Sequence, residues 1–376
     1  MRILLLAAAS SIHAVRWANA FAERGYEVHF ASQHPATAVL HGKVRYHALP
    51  HRKGAGYLLN GHKVARLVAR LRPDVVNAHY ASGYGTLARA VKGVPVVLNV
   101  WGSDVFEFPD TSPLHKWLLR RNLAHAQCLV STSEFMARRT RELTGGRQVE
   151  VVPFGVDTGL FKPREKGRSG AMVVGTVKTL AHKYGIDTLI KAFARVYQAS
   201  GGKIRGRITG GGALRPQLEA LTADLGVSAA VEFVGTVPHD QVPEELRTLD
   251  IYVALSRMDS ETFGVAVIEA SACGVPVVVS DAGGLPEVVV DGGTGIVVRR
   301  DDPEHAAEAL QHLIDDPGTR ERMGRQGREH VLRNFEWSRC VDRMVRILEA
   351  ATLAKSRTMV CAYAVAFLHA ALLCMP

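Results

Sequence analysis

The stretch that most constrains this chain is Asp259–Val290, DSETFGVAVIEASACGVPVVVSDAGGLPEVVV. It packs a loop carboxylate, a helix with a second carboxylate, an apolar strand and a Gly-Gly turn into one short run. Glu261 and Glu269 stand eight positions apart, with Phe263, Gly264 and Val265 between them. A helix starting near Gly264 leaves Glu261 in the preceding loop and puts Glu269 more than one turn inside. At 1.5 Å of rise per residue the two are then separated by up to roughly 12 Å. The amides of Phe263 to Ala266 face whatever lies at the helix N-terminus, a natural seat for phosphate. A carboxylate inside the helix can take the two hydroxyls of a ribose, as acidic residues do in dinucleotide sites. The loop carboxylate reaches the group beyond the phosphates. This geometry fits a sugar nucleotide laid along one helix end. The plain alternative is an amphipathic helix with two solvated glutamates. Against it, Glu269 falls between Ile268 and Ala270, where an unpaired carboxylate is costly.

The spacing Glu261-x7-Glu269, followed by Ala-Ser-Ala-Cys-Gly-Val-Pro-Val-Val and Gly283-Gly284-Leu285-Pro286-Glu287, resembles the donor-site signature of glycosyltransferase family 4. The resemblance runs from residue 1 to about residue 350. It implies an α/β, retaining enzyme of the GT-B fold, with two Rossmann-like doubly wound domains facing across a cleft. The boundaries it implies are an acceptor domain over 1–155, a nucleotide-sugar domain over 156–335, a helix over 336–354 crossing back to the first domain, and an apolar tail over 355–376.

Length and charge agree with two domains. A chain of 376 residues with 47% hydrophobic content can bury two ordinary cores. The five cysteines, at 128, 273, 340, 361 and 374, have no metal-type or CxxC spacing and suit a reducing cytoplasm. Residues 1–150 hold 20 Lys and Arg against 9 Asp and Glu, so the whole formal excess of +10 lies in the first half. Such asymmetry points to a polyanionic partner: anionic lipid, a lipid pyrophosphate or nucleic acid.

In chain order, Arg2–Ala9 reads as a buried first strand, in preference to a short signal peptide, because an apolar-faced helix follows it. A βαβ unit then opens a parallel sheet. The turn Ala9-Ser10-Ser11 has serines where the family often carries Gly-Gly. His13 can face the cleft or simply sit at the helix start. Asp74–His79 and Val94–Val100 are strands, and both end where such sheets place ligands. Trp101 stands where the family frequently has a donor-sugar histidine, and offers a stacking wall instead. Asp104 can hold an acceptor hydroxyl or cap the following turn. Pro113–Arg121 is a basic amphipathic helix that either lies on an anionic leaflet or packs Trp117 inward.

Residues 162–170 form a Pro-, Gly- and charge-rich linker. Beyond it Met172–Val177 restarts the βα series. The resemblance implies that Lys178 and Lys183 grip the donor pyrophosphate and, with Glu261, form the catalytic set. Around the donor it implies Glu269, Phe263, Gly264, Val265, Gly210, Val237 and Gly284. No Asp-x-Asp motif follows an apolar strand, so neither a catalytic metal nor any other cofactor is expected. The retaining step is expected to be front-face substitution, because the two glutamates are not paired as in a retaining glycosidase. The expected partners are a nucleotide-sugar donor, a UDP-sugar above others, a glycan or lipid-linked acceptor, and an anionic membrane, with no nucleic acid. The expected location is cytoplasmic, peripheral at the inner face of the plasma membrane. Alternatives are a nucleotide-sugar epimerase or hydrolase of the same fold, a transferase with a small soluble acceptor, and a non-catalytic sugar-nucleotide sensor. The segment Met359–Pro376 can be an anchor, a buried element or a non-native extension.

Overall fold

The computed structural model describes residues 1–164 and 170–353. The apolar tail and the middle of the charged linker lie outside these residues. The chain forms two compact units. One comprises Met1–Thr132, Met136–Val152 and the residues from Val341 on; the other comprises Ser133–Phe135 and Pro153–Cys340.

The first unit is built on a seven-stranded sheet: β1 (Arg2–Leu6), β2 (Glu27–Ser32), β3 (Val44–Ala48), β4 (Val75–His79), β5 (Val96–Asn99), β6 (Cys128–Ser131) and β7 (Glu150–Val151). Their order is β3-β2-β1-β4-β5-β6-β7 and every pairing is parallel. Parallel sheets carry helices on both faces, so their central strands are apolar throughout instead of alternating. That is why Ile3, Leu4, Leu5 and Leu6 are all fully buried, in register with Val28–Ala31 on one side and Val75–Ala78 on the other. The opening apolar run is thus a central strand. The edge strand β3, VRYHA, is polar and partly exposed, which blunts the edge against further pairing. A helix over residues 337–353 belongs to this unit from Val341 onward. It buries Val341, Met344 and Leu348, and Asp342 and Glu349 take Arg24 and the Tyr26 hydroxyl at 2.9 and 3.0 Å.

The second unit carries β8 (Met172–Val177), β9 (Ile204–Thr209), β10 (Val231–Gly235), β11 (Ile251–Ala254), β12 (Val277–Ser280) and β13 (Gly295–Val298). They form a parallel sheet in the order β10-β9-β8-β11-β12-β13. In each sheet the winding reverses once, between β1 and β4 and between β8 and β11. Open α/β sheets bind ligands beyond the strand C-termini at that reversal.

Candidate active site

In the second unit the reversal point is occupied by Lys178, the residue after β8, and by the loop after β11 that carries Ser260 and Glu261. Two glycine turns shape this place. Lys178 donates its amide to Thr209 O at 2.9 Å, and Leu180 donates to Gly211 O at 2.9 Å. Gly210 lies at φ +141°, and a Cβ there would run into the Lys178 carbonyl. The triple glycine therefore lets the turn after β9 lie against the turn that holds Lys178. On the other side Gly284 donates to Glu261 O at 2.9 Å, while a Cβ on Gly283 would strike that same carbonyl. Gly283 and Gly284 thus make room for the Glu261 loop.

Between these turns Lys178 Nζ meets Glu261 Oε1 at 3.2 Å, with side chains 20% and 9% exposed. Burial alone would lower the lysine pKa, but the Glu261 carboxylate more than offsets it and holds Lys178 above its ordinary value. Lys178 therefore stays charged. Its ammonium lies 4.5 Å from the centre of the Tyr184 ring, and Lys183 lies 5.1 Å from the same ring. Lys183 also reaches Ser260 Oγ at 3.4 Å. Arg257 fastens the two loops together. Its amide donates to Lys183 O at 2.9 Å, while its guanidinium takes His182 O, Asp187 and Asp301. Two lysines thus share one aromatic ring beside the Glu261 carboxylate, which leaves positive charge for an anion.

The helix Val265–Ala272 begins as the spacing predicts, with Gly264 at its N-cap. Val267 and Ile268 both donate to Gly264 O, so the amides of Gly264, Val265 and Ala266 precede the first helical bond. Phe263 offers only its backbone to this end. Its ring is buried and packs edge-on against Phe154 and Phe335 at 6.2 and 5.7 Å. Glu269 is buried within the helix, with Oε1 3.6 Å from His239 Nε2. His239 lies two residues beyond Val237 in the turn after β10, and its ring rests on Phe161 at 6.0 Å. Sequence reasoning named Val237 in this turn and missed His239, although a histidine following Pro238 in that turn was the available signal. It also missed Tyr184 and Ser260, neighbours in space of residues it had named.

In the first unit the strand ends gather His13, His79, Trp101 and Asp104. Trp101 meets His79 edge-on at 5.1 Å and His13 at 6.2 Å. His13 is the second residue of the helix Ile12–Glu23, so it turns toward this cluster and does not cap. His79 is fully buried. Its Nε2 bonds Asn77 Oδ1, and burial pushes its pKa down to about 3, so the ring is neutral. Asp104 is fully buried and accepts the amides of Ala81, Trp101 and Gly102 at 2.7, 3.0 and 2.8 Å. Burial raises its pKa against the pull of those amides. It organises the Trp101 turn and has its lone pairs spent on backbone. Trp117 is not packed inward: it and Leu114 are exposed, and Leu119, Asn122 and Leu123 form the buried face of the helix Pro113–His125.

Residues 161–330 match the family described as glycosyl transferases group 1, and residues 2–133 match glycosyl transferase 4-like. The chain is 31% identical to the D-inositol 3-phosphate glycosyltransferase of Acidothermus cellulolyticus, over 76% of this chain and 68% of that one. It is also 31% identical to the GDP-mannose-dependent alpha-(1-6)-phosphatidylinositol monomannoside mannosyltransferase of Mycolicibacterium smegmatis, over 70% and 72% of the two chains. Among solved structures, sucrose-phosphate synthase from Thermosynechococcus elongatus matches with a TM-score of 0.82 at 20% identity, covering 94% of this chain and all of that one. HepE of Anabaena in complex with UDP matches at 0.80 and 19% identity, covering 93% of this chain and all of the other. These two likenesses speak for the fold, two Rossmann-like units of the GT-B type.

Proposed function

Because the chain belongs to the group 1 glycosyltransferases of the family 4 type, and is therefore a glycosyltransferase, we propose that it moves a sugar from a nucleotide-diphosphate sugar to a hydroxyl of a membrane-borne glycolipid or glycan, with retention of configuration. The observation that carries the reading is the Lys178–Glu261 pair at the β8/β11 reversal, with Lys183 beside it. In the proposal Lys178, Lys183 and the amides before the helix Val265–Ala272 meet the charge that develops on the departing diphosphate. Preorganised donors of this kind are often the largest single contribution to catalysis. Glu269 takes the ribose hydroxyls, with His239 steadying its carboxylate. Glu261 orients Lys178 and faces the sugar. The leaving phosphate accepts the proton of the attacking hydroxyl, so no protein carboxylate needs to form a covalent intermediate.

For the acceptor, the names of the two relatives at 31% identity carry an inositol phosphate and a phosphatidylinositol monomannoside. The exposed Leu114 and Trp117 beside Lys116, Arg120 and Arg121 add a face suited to an anionic leaflet. Among the described residues no helix is long and apolar enough to cross a membrane. For the donor, a UDP-sugar is the expectation from the sequence, and GDP-mannose is in the name of the mycobacterial relative. A panel of UDP- and GDP-sugars, each incubated with and without a phosphatidylinositol-type acceptor, tests the reading. Release of nucleoside diphosphate only when acceptor is present is expected. Equal consumption without acceptor would favour an epimerase or hydrolase, and binding without turnover would favour a sensor.

A further inference from the structure

Behind the exposed Trp117 the first unit has a cavity of about 560 Å³, lined by Leu58, Arg89, Lys92, Arg121 and His125 among others. None of its lining residues is a carboxylate. Among the described residues Arg89 and Lys92 have no ion pair, and the recorded partner of Arg121 is the Trp117 ring, 4.9 Å from its guanidinium carbon. The His125 Nε2 is buried with no hydrogen-bond partner among the described residues. Burial pushes its pKa down, and the nearby Lys92 and Arg89 add to that push. Three cations around one cavity without a carboxylate repel one another unless an anion joins them, and the neutral His125 ring leaves a polar atom there unsatisfied.

Exposed apolar side chains adjoin the cavity in sequence and by contact. Leu58, which lines it, is 70% exposed and is followed by the exposed Leu59; Trp117, under the Arg121 guanidinium, is 49% exposed, with the exposed Leu114 one helical turn before it. A free phosphate has no use for such a rim, whereas an amphipathic anion does. The cavity is also separate from the candidate acceptor residues. Lys92 and His125 come shortly before β5 and β6 begin, whereas His79 and Trp101 stand where β4 and β5 end. Lys92 and His125 therefore stand toward the N-terminal ends of the strands, away from those residues.

We propose that this cavity seats the phosphate of an anionic membrane lipid while Leu58, Leu114 and Trp117 enter the acyl boundary. The proposal rests on the membrane-borne acceptor read above and adds a defined headgroup seat to it. The enzyme is then held at the leaflet through helices of its first unit, leaving the strand C-termini for the acceptor.

The test is sedimentation of the full chain with phosphatidylcholine vesicles, with and without phosphatidylglycerol, reading only the difference between the two. The apolar tail is present in every variant and drops out of that difference. Arg89→Gln/Lys92→Gln is compared with Lys43→Gln/Lys203→Gln, which removes the same charge from exposed positions elsewhere. The cavity variant is expected to lose the phosphatidylglycerol increment by roughly tenfold or more, on the usual worth of two cations at a leaflet. The control variant is expected to keep it, and both are expected to keep turnover on a soluble acceptor. Equal losses in the two variants overturn the headgroup seat and leave diffuse charge. Absence of any increment in the unmodified chain overturns the membrane reading itself.

Discussion

Lys178 Nζ and Glu261 Oε1 lie 3.2 Å apart, joining two residues 83 positions distant in sequence at the reversal point of the second sheet. Neither charge has much solvent to rely on, so each depends on the other. The pair sets the state of the site before any donor arrives: Lys178 is held charged and aimed by the carboxylate beside it.

Removing the lysine is expected to act on both turnover and stability. Lys178→Ala should lower turnover by roughly 10²–10³, the scale for one preorganised stabiliser of developing charge. It should also cost about 1–3 kcal/mol of stability, because it leaves the Glu261 carboxylate buried without its cation. Adding Glu261→Gln to it should recover much of that stability and none of the turnover. Urea unfolding and steady-state kinetics on the three variants check this, and wild-type kinetics in Lys178→Ala would remove the residue from the site.

Glu269→Gln keeps the shape of the side chain and withdraws a charged acceptor from the ribose. Nucleotide affinity should fall by about 1–3 kcal/mol in calorimetry, with the fold intact by circular dichroism. Unchanged affinity for the free nucleotide would contradict the ribose role.

The buried His79 makes acid stability readable. The folded chain holds this ring neutral down to about pH 3, while the unfolded chain protonates it near 6.5. Between those values the unfolded state binds more protons, so stability falls as the pH falls, by at most about 1.4 kcal/mol per pH unit from this group. His79→Gln, which can still donate to Asn77, should flatten the slope below pH 6.5 and leave stability above pH 7 little changed. A slope equal to that of the unmodified chain would place the acid sensitivity elsewhere.

Lysines and amides are proposed to carry the diphosphate charge, which gives a metal-removal test. Activity should survive exhaustive chelation with EDTA to within about twofold, since no step is assigned to a Lewis acid. A loss restored by magnesium or manganese would reassign that charge to a cation.

The legible strands were the buried ones: β1, β5 and β12 are nearly unbroken apolar runs. Strand β3 was not read because VRYHA is an amphipathic edge, and β6 and β13 were not read because CLVS and GIVV lack the flanking Gly-Val-Pro that marks the equally short β5 and β12. At the site, the spacing of Glu261 and Glu269 announced the helix between them, because both lie in one local element. The contacts of Glu261 with Lys178 and of Glu269 with His239 join separate βα units, and no local period encodes them. Trp117 was open between two readings because a basic amphipathic helix looks the same whether its aromatic ring faces core or solvent. The packing of Leu119 and Leu123 decides it.

The stereochemistry of the transferred sugar tests the central claim most directly. Proton NMR of the product, formed from a donor of known α configuration, reports the new anomeric linkage through its one-bond and vicinal couplings. The account predicts an α product, formed together with nucleoside diphosphate and formed roughly 10²–10³-fold more slowly with Lys178→Ala. A β product from the α donor would contradict front-face transfer at the Lys178–Glu261 site.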